Sequence, residues 1–501
     1  MWYQKLIQPM LDAQTDTLLV VDAAHFLEWP AIQEHVKASY PQILPYHNEL
    51  QLRLALRKQT QNMLVVFTRE QDIPFAFLSM YAVVNLDIAQ VFPLFDREVL
   101  LAIPYEDYAY IYAQYETLTT HRYEKLSCAE TEQLLQPLLT SEEYQINKRV
   151  LELRNRLAHL KTCSFSKHET FGELSQVLGE LAFIEHDQNV WLNLEQERIP
   201  LRQAFAQYIG HYYEDFVYHP DLPMHAYVVK QIFERSHHRN ALICFDCMGF
   251  EEWQVIREYL EAKTTFQFEV NYSFAMLPSE TLYSRTTLFA GRFYKELRAS
   301  SLHNKVDSGQ EKKWFYHALQ ETCDLSEQDI YFYQGLKPGE YPFEFDDLSD
   351  YSALGMIFFF IDQLTHNELM TKRILLNNIR THLSDSRLDE LIRALLDQGF
   401  RVFFTSDHGS IYAHGNGVTV PKDLTDARSK RYFITGKQII AEEYTRQAQH
   451  AIVLQLKHML GEEFVGVLTD DSIFASKHES ELTHGGISLE EVVVPFIEVK
   501  M

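Results

Sequence analysis

The chain reads as an α/β protein. Its second half is a mainly parallel sheet with helices on both faces, preceded by a helical region and a small N-terminal α/β domain. Three observations predict this. From Ala241 onward, apolar runs of strand length alternate with helical patterns such as DELIRALLDQGF. Several of these runs are continuous, as in strands covered on both faces. Three of them are closely followed by an aspartate. The composition agrees: 501 residues, 46% hydrophobic and 23% charged, is globular material, enough for about two to four domains.

Taken in order, residues 1–125 form the N-terminal α/β domain. Thr17–Asp22 (TLLVVD) and Asn62–Thr68 (NMLVVFT) are buried-strand runs, and Asn48–Lys58 has apolar residues at helical spacing. No GxGxxG follows the first strand, which leaves dinucleotide binding without support, and Asp22 reads as a turn or cap residue. Residues 126–236 turn helical: the stretch from Glu143, the segment GELSQVLGELAFI and the region around QAFAQYIGHYYEDF each carry one apolar face. They bear no chemical motif and read as a spacer or docking module. Residues 237–501 hold the main sheet, with strands expected at Ala241–Phe245, Phe266–Val270, Asp329–Tyr333, Gly355–Ile361, Arg401–Thr405 and Val492–Val499.

Lys and Arg number 45 against 70 Asp and Glu, a net charge of −25. A surface this acidic repels the phosphates of duplex DNA, so any nucleic-acid contact must be local or arranged by metal ions. Lys422, Arg428, Lys430, Arg431 and Lys437 form one basic run, read either as a solvated face or as an oligonucleotide contact. The five cysteines are irregularly spaced and imply no disulfide framework. No secretory signal and no membrane-length apolar stretch is evident, which predicts an unanchored cytoplasmic protein.

The chemistry lies in the last region. Asp246, Asp362 and Asp407 each follow an apolar strand, and in an open parallel sheet ligands bind beyond the carboxyl ends of the strands. Three carboxylates converging there repel one another unless cations neutralise them, so the pattern predicts metal. Histidines stand beside them: His366 one helical turn after Asp362, His408 next to Asp407, and His484 in THGGISLEE, where Gly485 and Gly486 permit a sharp backbone path. Mixed Asp and His ligands suit zinc, manganese or iron better than calcium. The set divides into Asp362, His366 and His484 for one ion and Asp246, Asp407 and His408 for the other. In LPSETLYSRTTLFAG, Ser279 reads as a helix N-cap, which puts Thr281 in the first turn as a phosphoryl acceptor and Arg285 one turn on, able to hold a phosphate oxygen. Cys244 and Cys247 read as structural; His237 and His238 read as a polar linker with metal binding the alternative, and His414 is unassigned.

The strings FDCMGFEEW, LPSETLYSR, DQLTH, TSDHG and THGGISLEEVVVP together resemble the PglZ family of the alkaline phosphatase superfamily. The resemblance is firm over Ala241–Met501 and extends faintly to the N-terminal segment. It implies an alkaline-phosphatase-like sheet and a two-metal phosphohydrolase, best read as a phosphodiesterase with a Thr nucleophile. Carried over, the family pattern puts Asp246, Thr281, Asp407 and His408 on one divalent ion and Asp362, His366 and His484 on the other, with zinc expected and manganese an alternative. It further implies a role in bacterial BREX-type phage defence, beside a DNA methyltransferase and an AAA+ ATPase, with a phosphate ester, a nucleotide or oligonucleotide among them, as substrate. A non-catalytic or regulatory component that retains a metal site is the second reading. Glu280, where a small or neutral residue is expected, departs from the pattern. No cysteine has a sulfatase context, and the inserted domain of cofactor-independent phosphoglycerate mutases has no counterpart.

Overall fold

The computed structural model describes residues 1–234, 239–300, 309–335, 348–366, 370–422, 424 and 429–501. The chain forms two compact units, Met1–Arg149 and Val150–Met501.

The first unit holds strands β1 (Thr17–Val21), β2 (Gln42–Pro45), β3 (Met63–Phe67) and β4 (Ala82–Asn85), all paired in parallel in the order β2-β3-β1-β4. Alternate side chains of β1 divide between two cores. Leu18 and Val20 pack with Trp2, Ile7, Phe92 and Tyr108, while Leu19 and Val21 pack with Leu52, Val65 and Phe77. Asp22 caps the turn after β1, accepting hydrogen bonds from the Phe26 and Leu27 N–H groups at 2.9 and 2.7 Å. The helix Glu49–Lys58 begins at Asn48, whose side chain accepts from the Gln51 N–H. Strands β2 and β4, only four residues each and half-buried, carry no apolar run strong enough to mark them in the sequence.

In the second unit the helical segments settle as helices His168–Asp187 and Leu194–Tyr212. The strands that follow are β5 (Arg239–Phe245), β6 (Gln267–Phe274), β7 (Ile330–Gly335), β8 (Ala353–Phe358), β9 (Phe400–Thr405), β10 (Ile411–Gly415), β11 (Tyr432–Thr435), β12 (Ala451–Leu454), β13 (Phe464–Leu468), β14 (Ser472–Ile473), β15 (Ser480–Thr483) and β16 (Val493–Lys500). The main sheet has the order β6-β16-β9-β5-β8-β7. Its β9-β5-β8-β7 portion is parallel, and β16 runs antiparallel to both β9 and β6. The mainly parallel α/β sheet is thus as the sequence predicts. Two small sheets, β14-β10-β15 and β11-β13-β12, are additions the sequence did not announce, being built from strands of two to five residues.

The register explains why the acids meet. Cys244 of β5 pairs with Ile357 of β8 on one side and Thr405 of β9 on the other, so the strands preceding Asp246, Asp362 and Asp407 are immediate neighbours. One expected boundary moves. The run Gly355–Ile361 was expected to be all strand, but β8 stops at Phe358, opposite the last residue of β5, and Phe360–Thr365 is helical. The apolar signal continues past the ladder because Phe360 and Ile361 stay buried after the backbone leaves the sheet.

Candidate metal centre

Four segments deliver the candidate ligands: the loops after β5 and β9, the helix Phe360–Thr365 after β8 with its C-cap His366, and the loop that follows β15. After β5 the chain turns through Asp246 and Cys247, the latter at φ 69°. The Cys247 N–H donates to Asp407 Oδ1 at 3.1 Å, which ties the β5 and β9 loops together. Cys244 and Cys247 are both fully buried, and burial pushes both thiols up, so neither is a thiolate. After β9, Gly409 lies where an added Cβ would stand 2.0 Å from the Glu490 carbonyl oxygen, so only glycine fits between the two loops. Gly485, at φ 108°, turns the third loop so that His484 faces inward.

Asp246, Asp407 and His408 bring one ligand atom each within 4.8 Å of one another, and Asp362, His366 and His484 do the same. In the first triad all three residues are buried, and among the described residues Asp246 Oδ1 and Asp407 Oδ2 have no hydrogen-bond partner. In the second, Asp362 Oδ1 lies 3.1 Å from His366 Nε2 and 3.8 Å from His484 Nε2. Buried carboxylate oxygens crowded against imidazole nitrogens, two of them in the first triad short of hydrogen-bond donors, fit a divalent cation in each triad. Hydrogen bonding orients two of the rings. His408 Nδ1 is 3.2 Å from the Gly409 carbonyl oxygen and His484 Nδ1 is 3.2 Å from that of Ser279. With each Nδ1–H donated to a carbonyl, each Nε2 presents its lone pair to the site.

The electrostatics follow from burial and crowding. Burial pushes the Asp246 carboxyl well above its usual range, with Arg285 opposing and Asp407 adding to the rise. Burial also acts upward on Asp407, but His408 and Arg285 outweigh it and hold that carboxyl below the ordinary value. Asp362 is likewise held low, its burial outweighed by the hydrogen bond from His366 and the charge of His484. Burial depresses His408 to about 4, so its imidazole is neutral and available as a ligand.

Thr281 is the first residue of the helix Thr281–Ala290, and its Oγ1 is 3.1 Å from His408 Nε2. The helix starts without a side-chain cap; the Tyr283 and Ser284 N–H groups donate to the Glu280 carbonyl, so among the described residues the Thr281 and Leu282 N–H groups are the ones left for an anion. Ser279 is not the N-cap; Glu280 holds that position. Ser279 Oγ donates instead to the Gly486 carbonyl at 2.7 Å and accepts from the Gly485 N–H at 3.2 Å, binding the Thr281 segment to the His484 loop. Glu280 Oε2 lies 3.3 Å from His484 Nδ1, so the acid that departs from the family pattern stands behind a histidine. Arg285 sits beside carboxylates: Nη1 contacts Asp246 Oδ2 and lies 3.8 Å from Asp407 Oδ2, and Nε donates to Glu311 Oε1 at 3.0 Å. Glu311, fully buried and 26 residues further on, had no signal in the sequence.

Among the described residues the basic run does not form a common face. Arg431 is 0% exposed and makes a two-pronged pair with Glu491, at 3.0 and 2.6 Å, so it cannot meet a nucleic acid. Lys430 pairs with Glu479 and Glu481. Arg428, and with it His237 and His238, lies outside the described residues. His414, on β10, is hydrogen bonded through Nδ1 to Ser480 Oγ at 2.8 Å and belongs to neither triad. Among the described residues no helix is long and apolar enough to cross a membrane.

Comparison with known families gives a match to the BREX system PglZ alkaline phosphatase-like domain over residues 224–499. The chain belongs to this family. The matched span contains all six triad residues, and its fold is accordingly the alkaline-phosphatase-like α/β fold expected of a PglZ domain. No curated protein matches the chain. Similar solved structures include murine ectonucleotide pyrophosphatase/phosphodiesterase 5 in an inactive form in complex with AMP, at 13% identity and a TM-score of 0.34, covering 52% of this chain and 88% of that one. The human counterpart, at 12% identity and a TM-score of 0.32, covers 52% and 87%. A phosphonoacetate hydrolase from Sinorhizobium meliloti 1021, in complex with phosphonoformate, has 11% identity and a TM-score of 0.29, covering 52% and 90%.

Proposed function

We infer that this PglZ-family chain is a metal-dependent phosphohydrolase acting on phosphodiesters, with Thr281 as nucleophile. The observation that carries the reading is the pair of ligand triads, with a helix-terminal hydroxyl, that of Thr281, 3.1 Å from the His408 Nε2 of one of them. Asp246, Asp407 and His408, with Thr281, would hold one divalent ion, and Asp362, His366 and His484 the other, zinc before manganese by ligand type. Such ions supply the positive charge that makes a threonine hydroxyl acidic and balances charge on the transferring phosphoryl group.

The chain's own residues do the rest. Thr281 Oγ1 attacks phosphorus in line as the bond to the leaving alkoxide breaks, and its proton departs toward solvent through the site. The phosphothreonine is then cleaved by water at phosphorus, which restores the hydroxyl and releases phosphate monoester. The first-turn N–H groups of the helix Thr281–Ala290 orient non-bridging oxygens. Ser279 fixes the nucleophile's segment to the His484 loop.

The diester preference is supported by charge. Glu280 adds an acid next to Thr281, and Arg285 already faces Asp246 and Glu311, so the site offers little uncommitted positive side-chain charge to a dianionic monoester. A diester carries one negative charge and is repelled less.

Membership of the BREX PglZ family supports a role in phage defence, in the cytoplasm, with a DNA methyltransferase and an AAA+ ATPase as partners. The second reading, an interaction component of that assembly, is favoured by the exposed Leu50, Phe75 and Met80 of the first unit. The test is hydrolysis of an aryl phosphodiester with added zinc or manganese by the wild type, Thr281→Ala and Asp246→Ala. Loss in both variants is expected; equal rates in all three would overturn the mechanism.

A further inference from the structure

Arg285 is the unusual element of this site. It is 8% exposed, and its contacts are carboxylates: Asp246, Asp407 at 3.8 Å, and Glu311. Its guanidinium also lies over the Phe359 ring, 5.2 Å from the centroid, and so has an apolar wall on one side. Glu311 is 1% exposed, and its second oxygen receives the Gln334 amide at 3.4 Å. A buried carboxylate held in place behind a buried guanidinium makes that guanidinium a fixed charge, unable to swing out when a ligand enters. The arrangement leaves Asp246 Oδ1 facing the triad while Oδ2 is engaged.

The second triad is built differently. Among the described residues, Asp362 makes ion pairs only with His366 and His484, and the charge behind His484 is the carboxylate of Glu280. One triad therefore shares both of its acids with a resident cation, while the other has an extra acid in support. Like charges in a site with little water repel strongly, and opposite charges attract by as much.

We propose that the Glu311–Arg285 pair sets the order of metal binding, so that the Asp362–His366–His484 triad fills first and tightly and the Asp246–Asp407–His408 triad fills second and more weakly. This rests on the two-ion reading above. Arg285 acts here as a positioning residue: it holds the non-ligating oxygen of Asp246 and lowers the affinity of that triad, making the ion next to the nucleophile the exchangeable one. Glu311 limits the penalty by balancing the guanidinium.

The experiment is zinc titration of the full-length, metal-stripped protein against a chromophoric chelator, with thermal melting of each metal-free variant to confirm folding. The wild type should bind two ions in two steps at least tenfold apart. Asp362→Asn should remove the tight step and Asp407→Asn the weak one. Glu311→Gln, which leaves Arg285 unbalanced, should weaken the second step by a further tenfold or more and leave the first unchanged. The double variant Arg285→Gln with Glu311→Gln, which keeps an N–H donor for Asp246 and removes both charges, should tighten the second step and narrow the gap. A merely structural role would move both steps together and in one direction. Two ions bound in one unresolved step, or a double variant whose second step weakens or stays put, would overturn this proposal alone. A wild type that binds no zinc would overturn the two-ion reading itself.

Discussion

The rings of His408 and His484 stack with centroids 3.9 Å apart and planes 17° from parallel, although one belongs to each triad. Both direct Nδ1 at a backbone carbonyl, so the two Nε2 atoms are set by one packed unit. The triads are thus mechanically joined as well as adjacent.

Removing either ring should therefore affect both ions. His484→Ala deletes a proposed ligand of the second triad and the wall against which His408 packs. We expect zinc to fall from two per chain to about one or fewer, and aryl diester hydrolysis to drop by on the order of 100-fold. Elemental analysis of protein purified without chelator, run beside the hydrolysis assay, checks both. Full zinc content in His484→Ala would exclude it as a ligand.

Glu280 offers a milder probe. Its carboxylate lies 3.3 Å from His484 Nδ1, where its charge adds to the hold of the Ser279 carbonyl on that ring and makes Nε2 a stronger donor to a cation. Glu280→Gln keeps the shape and removes the charge. Zinc affinity at the second triad should fall roughly 10–100-fold with the first triad little changed, measured by chelator competition. Because the change also removes a negative charge beside Thr281, hydrolysis of a phosphomonoester relative to a diester should rise at saturating zinc.

How much of this was legible in the sequence depended on range. The convergence of Asp246, Asp362 and Asp407 could be read because parallel strands put all their carboxyl ends on one edge, and β8, β5 and β9 are neighbours. The pairing of Asp362 with His366 could be read because four residues make one helical turn. Glu311 and Arg285 could not, since they join through the tertiary packing of two different helices. Arg431 misled for a related reason: a run of cations shows no burial, and the partner that draws Arg431 inside is 60 residues further on.

Arg431 in turn gives a stability prediction. It is fully buried against Glu491, and its Nη1 also donates to the carbonyl oxygens of Asp470 and Ser472. Glu491 Oε1 accepts from the Gly486 N–H at 2.8 Å, two residues from His484. Arg431→Met leaves a buried carboxylate unpaired, which costs about 3–5 kcal/mol. The urea midpoint should fall with the slope unchanged, and zinc at the second triad should weaken because the His484 loop loses its anchor. Arg431→Met combined with Glu491→Gln should recover part of the stability, since no charge is then stranded.

The last prediction concerns pH and a histidine outside both triads. His382 is 5% exposed and stacks on Phe360, with centroids 4.3 Å apart and planes 10° from parallel, in the helix that carries Asp362. Burial depresses its pKa from 6.5 to about 4, with Asp385 opposing weakly. In the unfolded chain the ring takes a proton as pH falls below about 6.5, while in the folded protein it stays neutral until about 4. The unfolded state therefore binds more protons between these values, so stability is complete above the unfolded pKa and is lost as pH falls toward the folded one, by about 1–3 kcal/mol in all. Wild-type melting temperature, measured with chelator so that metal release is not mixed in, should drop between pH 7.5 and pH 5. His382→Phe preserves the stack and removes the titration, so its drop over the same interval should be smaller. An identical drop in both proteins would show that His382 titrates alike in the folded and unfolded states.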